Sequence, residues 1–332
     1  MRKFLFFALL LFMAAPKWAQ GVEPFMIKFA TVAPEGSSWI NRMRELDRTI
    51  REKTEGQVGF RIYAGGVAGD ELDVLRKIRI GQIHGAAFSG VGFGQILSMV
   101  RVLDLPFLFR DDQEVDLVHR EMEDFFSRQF LDRGFELAAW AEVGNVYLFS
   151  RSPIRRVSDL ERLKIWVWSG DPIARETFSA MKTTPIPLAV TDVTTALNTG
   201  MIDTVYAPPL GAMALQWDLY VKNMTSLPLA HSTGAILIAK SFTEKMPPHL
   251  LNLLKEESRR AMSELTTQLR RQTRESIELL EERGIQVVAI PDDADLKDFY
   301  RVHDQVARAL EEKVYPKEVL ERVYTILETA RR

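Results

Sequence analysis

The sequence predicts an α/β protein of two units with one long helix laid across both. Three observations lead there. Residues 26–89 run strand, helix, strand, helix, strand, the order of a parallel sheet with helical crossovers. Strand and helix alternate again after Ser152-Pro153. Residues 249–283 contain neither Gly nor Pro, and at 1.5 Å per residue they would extend ~50 Å, more than one unit of this size.

The elements follow in order. Met26–Val32 alternates as a strand. Pro34-Glu35-Gly36-Ser37 is a loop, and Ser37 or Ser38 can cap a helix running to about Thr54. Val58–Tyr63 is a second strand. After the turn Gly65–Gly69 comes a helix over Asp70–Ile80, with Gly81 at its C′ position, and a short strand over Ala86–Ser89. Met99–Phe109 is apolar around Pro106. Glu114–Arg133 is helical and stops at Gly134. Glu136–Ala141 and Val146–Ser150 read as two strands, the second leading into the next unit. There, Val157–Leu163 is a helical turn or two, Ile165–Trp168 a strand and Pro172–Met181 a helix. Ile186-Pro187 is an extended link, Thr191–Thr199 a helix capped by Gly200, and Val205–Ala207 a strand. In the long helix, Leu254, Ala261, Leu265, Leu269 and Ile277 form a narrow apolar stripe without a sustained heptad, which fits a strut rather than a coiled coil. Leu296–Arg331 is helical and interrupted near Pro316.

The 332 residues are 46% hydrophobic and 27% charged, with a net charge of −2. That is ordinary globular composition and points away from nucleic acid and from anionic membrane surfaces. Arg2 and Lys3, the apolar run Phe4–Ala15 and Trp18-Ala19-Gln20 read as a secretory signal. The run is short of the ~20 residues that span a bilayer. With no cysteine, the exported chain has no disulfide and no thiol to carry a lipid. In a Gram-negative cell that places it in the periplasm.

Enzyme signatures are weak. Gly90-Val91-Gly92-Phe93-Gly94 lacks the third glycine of a dinucleotide loop and reads as a tight or mobile loop at a strand end. Ser89 has no nucleophile-elbow frame. His84, His119, His231, His249 and His303 are scattered without metal spacing. No catalytic residue, metal or cofactor is expected. Glu71 could face a cleft, although Asp70-Glu71 also suits the negative first turn of a helix.

Several segments together resemble one family. They include Lys28-Phe29-Ala30-Thr31 with Ser38-Trp39, Ile78-Arg79-Ile80-Gly81-Gln82-Ile83, Leu103-Asp104-Leu105-Pro106-Phe107-Leu108-Phe109-Arg110, Leu163-Lys164-Ile165, Ala196–Asp203 and Pro208-Pro209. In this order and spacing the chain resembles the solute-binding subunit of TRAP (tripartite ATP-independent periplasmic) transporters, the DctP-like family. The resemblance implies two lobes joined by crossing strands and a long helix, closing on a ligand between them. With the signal read at 1–19, the expected division is lobe I at 20–148, lobe II at 149–234 and a return to lobe I at 235–332. It also implies small and large membrane subunits as partners.

The departures bear on the ligand. The family's usual arginine follows the Leu-Lys-Ile segment, where this chain has Trp166. Val146 and Ala207 stand where the resemblance leads one to expect a second cation and an amide. A subgroup with a periplasmic tetratricopeptide-repeat partner is similar in lacking the arginine. Trp166, Trp168, Val146, Tyr206, Ala207, Pro208, Trp39, Ser89 and Glu71 are therefore the expected ligand contacts, with a largely apolar solute. Trp166 and Trp168 face the same side of their strand, so either could instead serve the lobe core. The alternatives are an organic acid held by a displaced Arg151, Arg155 or Arg175, and, more remotely, a secreted α/β enzyme.

Overall fold

The computed structural model describes residues 25–331, so the expected signal segment lies outside the described residues. Ten strands are assigned: β1 (Phe25–Ala30), β2 (Val58–Tyr63), β3 (Gly85–Ser89), β4 (Phe135–Ser150), β5 (Trp166–Trp168), β6 (Ile186–Leu188), β7 (Thr204–Ala207), β8 (Asn223–Thr225), β9 (Ala230–Ala239) and β10 (Gln286–Val288).

The first lobe begins as expected. β1 pairs in parallel with β2 and β3, and the helices Ser38–Lys53 and Glu71–Arg79 make the crossovers. Ser37 is the N-cap, its hydroxyl accepting from the Ile40 N–H. Gly81 adopts a positive φ of 75° just past the second helix.

Four readings change. The segments 136–141 and 146–150 belong to one 16-residue strand, β4. Two register shifts, at Leu137/Ala139 and Glu142/Gly144, break its ladder with β9 and hide its continuity in the sequence. Gly90–Gly94 is a buried helical turn, not a loop. A Cβ at Gly90 would lie 2.0 Å from Asp104 Oδ2, and one at Gly92 would lie 2.6 Å from Glu71 Oε2. The glycines thus let carboxylates approach the backbone. Ile186–Leu188 is a strand paired with β5, not a link. Finally, β8, β9 and β10 carry sheet where the sequence reading placed none.

The main sheet runs β10-β8-β4-β9-β3-β1-β2, with β7 also on β4. The first part of β4 pairs with β9, and its end pairs with β7 and β8. One strand therefore serves both lobes. The helix Pro248–Glu282 is continuous over 35 residues. Leu254, Leu265 and Leu269 bury in the core shared with the helix Ser38–Lys53 and β4. Near its other end, Leu280 joins the core of Val205, Trp217 and Met224. Ser38 Oγ donates to Gln272 Oε1 at 2.7 Å, tying the start of the helix Ser38–Lys53 to the same long helix.

Candidate ligand cleft

The C-terminal ends of β1 and β3 face the ends of β5 and β7 across a cavity of about 400 Å³. Strand ends meeting between two lobes are a common ligand position in α/β folds. All nine residues named from the sequence lie on its wall: Trp39, Glu71, Ser89, Val146, Trp166, Trp168, Tyr206, Ala207 and Pro208. They come from β3, β4, β5, β7, the first turns of the helices Ser38–Lys53 and Glu71–Arg79, and the N-cap position before Pro209.

One wall is aromatic. Trp166 is 2% exposed, so it is lobe core and cavity wall at once. Its ring stacks on Tyr206 with centroids 4.9 Å apart and meets Trp217 edge-on at 5.3 Å. Its Nε1–H donates to the Leu188 carbonyl at 3.1 Å, so the indole is fully satisfied where it stands. Trp168 remains partly exposed. Its Nε1–H donates to Asp70 Oδ2 at 2.8 Å. Asp70 precedes the second helix of the first lobe, so this bond crosses the cleft.

The opposite end is acidic and closed upon itself. Glu71 Oε1 accepts from the Ser89 N–H at 2.8 Å. Its Oε2 accepts from Ser89 Oγ at 3.0 Å and the Gly92 N–H at 2.7 Å. Burial outweighs these bonds and lifts the carboxyl to about 7. Arg101 lines the same cavity, with side-chain exposure of only 5%. Its guanidinium meets Asp104 Oδ2 at 2.9 Å and Asp171 Oδ1 at 2.7 Å. Burial opposes its charge, but Asp171 and Asp104 more than offset that and hold it ionised. Asp104, desolvated and only partly relieved by Arg101 and the Thr233 N–H, is lifted to about 6. His231, also on the wall, is kept neutral by burial, its Nδ1 paired with Asn145 Oδ1 at 3.1 Å.

Arg101, Asp104 and Asp171 were missed in the sequence reading. A signal existed: Arg101 and Asp104 stand three apart inside the apolar run 99–109, where charges must pair to be buried. The displaced-arginine candidates lie elsewhere. Arg151 bonds the Leu197 and Tyr220 carbonyls, Arg155 is exposed, and Arg175 lines a separate groove. Among the described residues no cluster suits a metal, and no helix is long and apolar enough to cross a membrane.

Comparison with known proteins agrees with this architecture. A solute-binding protein of Chromohalobacter salexigens is 28% identical over 158 residues, a match spanning 47% of each chain, so about half the length of that relative. The C4-dicarboxylate-binding periplasmic protein of Rhodobacter capsulatus is 23% identical over 308 residues, 91% of this chain and 88% of that one. The sugar acid binding protein of Advenella mimigardefordensis, solved with galactonate, superposes with a TM-score of 0.87 at 16% identity, covering 93% of this chain and 99% of that one. These relatives are binding proteins, not enzymes. The model of the bacterial extracellular solute-binding proteins of family 7 matches residues 29–313, and the chain belongs to that family.

Proposed function

We propose that this protein is the binding subunit of a TRAP-type transporter and closes on a small, largely apolar organic solute. The state of Arg101 carries the ligand reading. It is the only Lys or Arg on the described cavity wall, and two carboxylates already hold it. A carboxylate ligand would meet Glu71, Asp104 and Asp171. Drawing Arg101 away from Asp171 would leave a buried charge unpaired, at a cost of several kcal/mol. Burying ~100 Å² of apolar ligand on the aromatic wall contributes about 2.5 kcal/mol instead.

The relatives' names favour a second reading. The Rhodobacter protein is named for C4-dicarboxylates, and the Advenella structure holds galactonate. On that reading Arg101 exchanges an aspartate for the ligand. Titration calorimetry with pyruvate, succinate, sialic acid and a medium-chain lipid series separates the two. Micromolar binding of any small carboxylate, with no response to the lipids, rejects the apolar reading.

The transport role brings further proposals. The chain is exported, its signal removed after Ala19, and works in the periplasm. It delivers solute to the small and large membrane subunits, with a tetratricopeptide-repeat protein as an additional periplasmic partner. The lobes divide near residues 148 and 234, and the supporting observation is that β4 and β9 cross there. Intact-mass analysis of the exported protein tests the first of these. A mass that retains residues 1–19 rules it out.

A further inference from the structure

Behind Trp168, on the side away from the ligand cavity, lies a second groove of about 600 Å³. Gln95, Ser98 and Arg133 contribute from the first lobe, and Pro172 and Arg175 from the second. Lys313 follows the helix Asp293–Leu310. Trp168 and the Arg101–Asp171 pair form the partition shared with the ligand cavity.

The charges in this groove do not balance. Asp171 is the single carboxylate among its described lining residues. That carboxylate is engaged by Arg101 at 2.7 Å and by the N–H groups of Ile173 and Ala174 at 3.0 and 3.2 Å. Arg133, Arg175 and Lys313 are exposed, and none forms an ion pair with a described residue. Arg133 bonds only the oxygens of Gln129. The chain as a whole carries a net charge of −2, so three cations on the wall of one groove, with no counter-charge among the described residues, form a local field of the opposite sign. Two guanidinium groups and an ammonium in one concavity match phosphate or clustered carboxylate oxygens.

We propose that this groove binds a small polyanion, of the phosphate or polycarboxylate class, and that its occupant favours the closed lobes. The second clause follows from the walls. They come from both lobes, so separating the lobes would pull the cations apart. A ligand that binds one arrangement better shifts the population toward it. This site is distinct from the solute cleft and does not depend on the identity of the solute.

The test is calorimetry of the full mature chain with pyrophosphate and with citrate at low ionic strength, and scattering with and without each. Both probes should bind, weakening several-fold as salt rises from about 50 to 200 mM. The triple variant R133Q/R175Q/K313Q should lose at least tenfold. Ser98→Trp, which fills the groove without changing its charge, should lose a similar factor. R155Q/R162Q, exposed cations outside the groove, should stay within twofold of wild type. Scattering should show compaction with the probes in wild type only. Absence of binding by both probes at millimolar concentration overturns the proposal, as does an equal loss in the R155Q/R162Q control. Binding of hexaglutamate but of neither small anion overturns the small-polyanion assignment in favour of an acidic protein segment. An unchanged envelope at saturation overturns the coupling to closure.

Discussion

Trp168 makes two commitments with one ring. Its face lines the solute cavity, and its Nε1–H reaches Asp70 across the cleft at 2.8 Å. Trp168→Phe keeps an aromatic face and removes the donor, stranding a desolvated carboxylate whenever the lobes close. A hydrogen bond to a charged group is worth about 1.5–3 kcal/mol, so solute affinity should fall by roughly 10–150-fold with little change in the thermal midpoint. Calorimetry on the variant decides it; unchanged affinity would mean that this bond does not support closure. Glu71 makes a second expectation. It titrates near 7 when folded, above the ordinary 4.5, because burial penalises its charge. The folded chain thus binds that proton more tightly than the unfolded chain, and stability drains away as pH rises from about 4.5 to 7. Asp104, lifted to about 6, acts in the same direction. His119, depressed by burial to about 4, acts oppositely between about 4 and 6.5. Glu71→Gln removes only the first contribution, so the variant should gain on wild type in urea midpoint between pH 5 and 8. A difference that does not vary with pH would count against a titrating Glu71. At this scale the aromatic wall was legible, because strand alternation fixes which side chains share a face. The acid–arginine cluster was legible only in its local half, Arg101 and Asp104, because its third member, Asp171, lies 70 residues away in the chain.

The long helix was readable because its signals are local: a proline pair before it, a glycine after it and an apolar stripe between. Leu265 is fully buried midway along it, so Leu265→Ala should cost about 2–5 kcal/mol in denaturant unfolding. Strand β9 was unreadable for the opposite reason. It lies between β4 and β3 and is covered on both faces, so it shows no period-2 alternation, and its Gly234 resembles a turn signal. β4 was split in two by its own irregularity. At the Glu142/Gly144 register shift, Gly144 has φ +114°, a conformation that side chains rarely adopt. Gly144→Ala should destabilise the fold by about 1–3 kcal/mol. If this irregularity is where the lobes flex, the variant should also slow solute association measured by stopped flow. A fully stable variant would show that the backbone relaxes there at no cost.

At the scale of the whole molecule, lobe closure predicts a smaller radius of gyration in scattering at saturating solute, and an unchanged envelope would exclude it as the binding mechanism. The two-lobed plan was legible from alternating strands and helices. The way the lobes are sewn together was not, because pairing between distant strands leaves little local trace. That sewing has a consequence for how the protein comes apart. β4 shares hydrogen bonds with both halves of one sheet, and the helix 248–282 inserts side chains into two hydrophobic cores, one in each lobe. Neither lobe can melt without stripping a strand and a helix from the other. Unfolding should therefore be a single transition, with calorimetric and van't Hoff enthalpies equal. No single cut in the backbone yields a free-standing half: a fragment ending before β9 exposes the open edges of β3 and β4 and should aggregate rather than fold. On the proposed closure mechanism the unit that moves during binding is a lobe, while the unit that folds spans both lobes.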